Sequence, residues 1–196
     1  MLRALLASVV GIAVFTVVLG FGYPALMTGF AQVALPHQAN GSLVERGNKV
    51  VGSSLAAQDF SFPGYFHERP SATSPPYNPA FTTFSNLGPT NPALAKLVQA
   101  NAKAVLKLEG PYNPGLTIHD IPVDAVVPSG SGIDPEISIA YANLQAHRVA
   151  AVRHLPLATV QSLIKENTDG RSLDFLGEPG VNVLELNLAI DKQGGK

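Results

Sequence analysis

The sequence predicts a single N-terminal transmembrane helix followed by an α+β extracytoplasmic domain, and three observations carry that expectation. The chain holds 13 Lys and Arg against 14 Asp and Glu, yet Arg3 is the only one of these before Glu45. From Pro36 onward the apolar texture gives way to Gly, Pro, Ser, Thr and Asn, and then to amphipathic stretches bounded by turn signals. Arg3 also lies ahead of the apolar run, whose far flank has no Lys or Arg until Arg46. By the positive-inside rule that placement keeps the N-terminus in the cytoplasm and exports the remainder of the chain. The expected division is a membrane helix with a membrane-proximal extension over residues 1–35, and the exported domain over 36–196.

A helix needs about 20 apolar residues to cross the hydrocarbon core, and the uncharged run from Ala4 to Gly22 supplies nearly that many. It continues with small and apolar residues from Tyr23 to Leu35, with a kink expected near Pro24, which has no N–H to donate. A cleaved signal peptide has a shorter apolar region of about 7–15 residues. Gly29-Phe-Ala31 does carry small residues at cleavage spacing, but a retained anchor is the expectation. Ala4, Ala7, Ser8 and Gly11 recur at three- and four-residue spacing, which lets a second helix approach closely. They are candidate subunit contacts.

In the domain, Lys49 to Leu55 reads as a strand. Tyr65 to Pro70 alternates aromatic and polar residues and reads as a short strand stopped by its proline. Ser71 to Pro92, with prolines at 75, 76, 79, 89 and 92, reads as a long structured loop. Asn91-Pro92 opens a helix that ends at Gly110-Pro111. Ile121 to Val127 reads as a strand running into Ser129-Gly-Ser-Gly132. A second helix is expected from a cap at Asp134 through Val152, and Pro156 opens a third that runs to Asn167. Val181 to Ile190 fits strand alternation and also a helix capped by Asn182 with Glu185, with helix slightly favoured.

Composition excludes several function classes. The exported part is slightly acidic, against the basic stripe of a nucleic-acid binder or a basic cluster for anionic lipid. Cysteine is absent, which rules out thiol catalysis, thiolate metal sites and disulfides. The five histidines, at 37, 67, 119, 147 and 154, include no i, i+4 pair on a predicted helix, and His147 and His154 are about 10 Å apart along one. Ser129-Gly-Ser-Gly132 suggests an anion cradle but lacks the Lys-Ser/Thr ending of a P-loop, and a strand-to-helix turn accounts for it. His119, Asp120 and Asp124 could accompany Ser131 in an anchored hydrolase, but no Gly-x-Ser-x-Gly elbow is present. Neither catalytic residues nor metal ligands are expected. Tyr65, Phe66 and Arg69 belong to a cluster of residue types favoured at interfaces, and form the second candidate contact surface.

Taken in chain order, the blocks Gln38-Ala-Asn-Gly-Ser-Leu43, Gly52-Ser-Ser-Leu-Ala-Ala-Gln58, Tyr65-Phe-His-x-Arg-Pro-Ser-Ala72, Tyr77-Asn-Pro79, Ser85-Asn-Leu-Gly-Pro-Thr-Asn-Pro92, Ser129-Gly-Ser-Gly-Ile-Asp-Pro135, Gln145-x-x-Arg148-Val-Ala150 and Gly180-Val-Asn-Val-Leu-Glu-Leu-Asn-Leu188 resemble the C-subunit family of the bacterial Kdp potassium-transporting P-type ATPase. The resemblance runs nearly end to end. Phe81-Thr-Thr-Phe84 departs from it, since family members often carry small residues there.

The resemblance implies an accessory, non-catalytic subunit of the inner membrane in a high-affinity potassium uptake complex. Its implied partners are a channel-like A subunit, an ATP-hydrolysing B subunit, a small F subunit and the bilayer. ATP and Mg²⁺ would act in the B subunit, K⁺ would be the transported ion, and no cofactor is expected on this chain. The family is also described as an ATP-binding chaperone of the motor subunit, in which Gln145 is the candidate contact. That role needs a cytoplasmic domain, opposite to the orientation read from Arg3.

Overall fold

The computed structural model describes residues 1–194 as two compact units, Met1–Val51 and Gly52 onward. The first unit is dominated by one continuous helix of 33 residues, Leu2–Ala34. At 1.5 Å per residue it is about 50 Å long, some 20 Å more than the hydrocarbon core requires. It consists of α1 (Leu2–Phe15), a π-helical stretch (Thr16–Gly22) and α2 (Tyr23–Ala34), with no buried residue in any of them. Instead of a kink attributable to Pro24 alone, the chain widens its helical register over the seven residues before Tyr23. The Tyr23 N–H donates to the Val18 carbonyl, five residues back, a spacing typical of π-bulges. Pro24, which cannot donate, then sits in the first turn of α2, where it is tolerated. A short α3 (Pro36–Ala39) comes next, then β1 (Leu43–Arg46), which pairs with β2 (Lys49–Ser53).

The second unit is α+β, as expected from the sequence. Helix α4 (Pro92–Glu109) starts at Asn91, whose side chain accepts from the Ala93 N–H. Strand β3 (Glu136–Ile137) leads into α5 (Ile139–Arg153), followed by α6 (Leu157–Glu166), β4 (Thr168–Asp169), β5 (Gly180–Asn182) and α7 (Val183–Lys192). The three strands pair antiparallel in the order β3-β5-β4, with Val181 opposite both Ile137 and Thr168. Gly180 leaves room there for the Glu136 side chain, whose carboxylate oxygen a Cβ would displace from 2.3 Å.

The core lies between the helices and this small sheet. Ala142, Ala146 and Val149 of α5 meet Val160 and Ile164 of α6, and Val181, Val183, Leu186 and Ile190 join them from β5 and α7, all nearly or fully buried. At about 25 cal/mol per Å² of apolar surface, such burial is the main stabilising contribution.

Three expectations from the sequence are corrected. Ile121 to Val127 is not a strand. Pro122 starts a 3₁₀ turn, Val123–Ala125, and the Asp124 carboxylate accepts from the Ser138 N–H and hydroxyl. The second helix is capped by Ser138, not Asp134. Asp134 instead accepts from the Glu136 N–H and from Arg69, because residues 136 and 137 pair with β5 before the helix starts. Tyr65 to Pro70 is not in a ladder either. Its backbone is held by the side chains of Asn187, Gln145 and Arg148.

Candidate functional site

The segment from Phe60 to Tyr77 is held by polar side chains of α5 and α7. Its centre is Phe66-His67. The Phe66 N–H donates to Asn187 Oδ1 at 2.8 Å, and Asn187 Nδ2 returns a bond to the Phe66 carbonyl at 2.9 Å. The next residue is treated in the same way. His67 N–H donates to Gln145 Oε1 at 2.7 Å, and Gln145 Nε2 donates to the His67 carbonyl at 3.0 Å. In an antiparallel ladder, one residue exchanges both bonds with a partner residue. Here a side-chain amide on α7 and another on α5 take the place of that partner, so an extended segment is satisfied without neighbouring strands.

Arg148, one turn beyond Gln145 on α5, fixes the preceding turn. It is fully buried. Its Nε donates to Glu109 Oε1 at 2.8 Å, Nη2 to Gln145 Oε1 at 2.8 Å, and Nη1 to the carbonyls of Tyr65, at 2.9 Å, and of Pro63. Five donors in a rigid planar fork suit Arg, and not Lys, to that many acceptors. Burial pushes the Glu109 carboxyl up, and the charge of Arg148 opposes the shift. On the other side of the segment Arg153 donates to the Gly64 carbonyl and pairs with Asp191 at 2.9 Å. Its guanidinium lies 4.5 Å from the Tyr65 ring centre and 5.4 Å from that of Phe62. The Tyr65 hydroxyl donates to the same Asp191 carboxylate.

Past Arg69 the loop is held by two hydroxyls. Ser71 Oγ donates to the Gly132 carbonyl at 2.7 Å and accepts from the Tyr77 N–H, and Thr73 Oγ1 donates to the Pro75 carbonyl. Gly132, at φ +73°, meets Thr73 so closely that a Cβ would lie 2.7 Å from its methyl group. Gly132 thus serves loop packing, and the Ser129 hydroxyl accepts its N–H.

Beside the segment a cleft of about 390 Å³ is lined by residues that include Asp59, Phe60, His67, Glu68, Tyr77, Asn101 and Tyr141. Glu68 is 4% exposed, and neither carboxylate oxygen has a hydrogen-bond partner of normal geometry. Desolvation raises its pKa to about 9, although the nearby Gln58 backbone favours the charged form. His67 is pushed down to about 4 by burial and then by Arg148. Burial also raises the phenols, Tyr77 to about 12 and Tyr141 further. Among the described residues no group of three or more His, Cys, Asp and Glu is arranged to hold a metal ion.

The residues singled out from sequence fall in two places. Ala4, Ala7, Ser8 and Gly11 lie on α1, where the Ser8 hydroxyl donates back to the Ala4 carbonyl and a Cβ on Gly11 would meet nothing within 4 Å. Tyr65, Phe66 and Arg69 are brought together with Gln145 in the second unit. Phe66 is fully buried, Tyr65 is tied to Asp191, and Arg69 pairs with Asp134 at 2.8 Å. Gln145 is also fully buried, its oxygen accepting two bonds and its nitrogen donating one. Asp120 is occupied with Thr117 in a capping box, and Asp124 with Ser138. Sequence reasoning missed Glu68, Glu109 and Asn187. Polar residues inside otherwise apolar helical faces, such as Asn187 on the face shared by Val183, Leu184 and Ile190, were the signal available.

Residues 5–192 match the family described as KdpC, K⁺-transporting ATPase, c chain. The chain is 52% identical over 186 residues to the potassium-transporting ATPase KdpC subunit of Herpetosiphon aurantiacus, covering 94% of each chain. It is 50% identical over 192 residues to that of Sorangium cellulosum, covering 97% of this chain and 98% of the relative. Against the Mycobacterium bovis subunit the identity is 47% over 193 residues, covering 98% and 100%. With a matched span that takes in both the apolar helix and the domain with its clamped segment, the chain belongs to the KdpC family of potassium-transporting ATPase subunits.

Proposed function

We propose that the chain is the non-catalytic subunit of an ATP-driven potassium uptake complex of the inner membrane. It is anchored by α1 and α2, and its domain lies outside the cytoplasm beside the channel-like A subunit. There it supports assembly and activity together with the ATP-hydrolysing B subunit and the small F subunit. ATP and Mg²⁺ act in the B subunit, and K⁺ is cargo. The observation that carries this reading is how the domain uses its buried polar groups. Gln145, Arg148, Arg153 and Asn187 hold one segment rigid. A binding surface needs that pre-organisation. Phosphoryl transfer needs a phosphate-binding loop and a metal-binding carboxylate, and the sequence contains neither a P-loop nor an Asp-Lys-Thr-Gly motif. The engagement of the Gln145 amide by His67 and Arg148 supports a positioning role for that residue over contact with a nucleotide.

The test is potassium-stimulated ATP hydrolysis by the purified complex, assembled with and without this chain. Activity is expected only when the chain is present, and the chain alone should release no phosphate. Phosphate release by the chain alone, abolished by a substitution in it, would overturn the proposal.

A further inference from the structure

We propose that the cleft beside residues 59–68 is a socket for an arginine side chain of a partner subunit, with Glu68 as its acidic end. Two independent observations meet there. The first is Glu68, buried with neither carboxylate oxygen in a hydrogen bond of normal geometry and with the Gln58 backbone as the one group favouring its charge. Such a group costs free energy unless something completes it. The acidic groups felt by its carboxyl include Asp134, and among the described residues no Lys or Arg lines the cleft. The second is the cleft wall. Ala104, Val105 and Leu108 of α4 line it together with the rings of Phe60, Tyr77 and Tyr141.

That combination selects among cations. A bare metal ion would need a shell of converging oxygens, and no carboxylate cluster among the described residues provides one. An aliphatic stem ending in a charge would instead cover the apolar wall with its methylenes. Once turned out to the cleft, the two oxygens of the Glu68 carboxylate would match the two parallel N–H groups of a guanidinium, and flat rings beside it suit a planar cation better than an ammonium. Asp59, exposed at the same cleft, adds attraction during approach. A volume of about 390 Å³ leaves ample room for one long side chain.

This inference rests on reading the chain as a subunit of a complex, but the cleft can be tested with no partner present. The full-length chain in detergent is titrated calorimetrically with n-butylguanidinium chloride, an arginine side-chain mimic, with n-butanol and KCl as controls. Binding is expected for butylguanidinium alone. It should tighten from pH 6 to pH 9, because the carboxyl must give up its proton to pair. Glu68→Gln should weaken it by at least about tenfold, the loss of a charge-assisted bidentate pair, and Asp59→Asn by a smaller factor. Glu68→Gln is expected to fold, since it keeps the shape of the side chain and removes a carboxyl whose charge burial disfavours. Absence of binding to the wild type at pH 9, equal binding by Glu68→Gln, or an equal response to n-butanol would overturn the proposal. Competition by KCl well beyond its ionic-strength effect would overturn it in favour of a small-cation site. Loss of the complex's activity reports on the proposed function and leaves this titration unaffected.

Discussion

Replacing Arg148 with Met would leave the Glu109 carboxylate and the carbonyls of Pro63 and Tyr65 without their donor inside the core. Breaking a buried pair from one side costs about 3–5 kcal/mol, and a loss of that size is expected in urea unfolding of Arg148→Met. The double variant Glu109→Met/Arg148→Met should recover part of it, because no buried charge is then stranded. Glu68 and His67 make a second residue-scale prediction. Glu68 keeps its proton in the folded state up to about pH 9, whereas the unfolded carboxyl releases it near 4.5, so its contribution falls as pH rises between those values. His67 is neutral when folded down to about pH 4 but titrates near 6.5 when unfolded, so its contribution falls as pH drops through that window. The two oppose each other between pH 4.5 and 6.5, and above 6.5 Glu68 acts without His67. Urea midpoints of Glu68→Gln should therefore decline less than wild type from pH 6.5 to 9. Parallel declines would show that Glu68 is not the group responsible.

At the scale of elements, much of the fold was legible because its signals are local. Asn91-Pro92 caps α4, Pro156 starts α6, and Asn182 caps α7 by accepting from the Glu185 N–H at 3.1 Å. The ambiguity over residues 181–190 resolves into both answers, a strand through Asn182 and a helix from Val183, with Asn182 ending one and capping the other. Asn182→Ala should cost about 1 kcal/mol from the cap, and somewhat more because Asn182 Nδ2 also donates to the Ser54 carbonyl. The Tyr65 to Pro70 segment was misread because its bonding partners, Asn187 and Gln145, lie more than 75 residues away and are side chains. No periodicity within the segment encodes them. The same distance explains why the candidate site was only half visible. Tyr65, Phe66 and Arg69 stood out as residue types and Gln145 only through the family resemblance, whereas Glu109 and Asn187 acquire meaning only once α4 and α7 are packed. On α1, the close-approach face gives a further expectation. Gly11→Leu should displace the subunit from the purified complex, because packing contacts hold helices together in lipid, while Val10→Leu should co-purify like wild type. If both co-purify, α1 is an anchor alone and assembly rests on the domain.

For the whole molecule, function depends on orientation. A single arginine before an uncharged helical stretch that ends at Ala34 is read as holding the N-terminus inside and the domain outside. That is where a subunit beside the channel mouth must be, and where a regulator of the motor's nucleotide site cannot be. The chain has no cysteine, so one introduced thiol reports unambiguously. Ser131 is exposed in the domain, and its side chain makes a single local bond, to the Ile133 N–H. A cysteine in its place should react with a membrane-impermeant maleimide on intact cells, or on spheroplasts where an outer membrane is present, as fully as after lysis. Labelling that appears only after lysis would put the domain in the cytoplasm and contradict the proposed function.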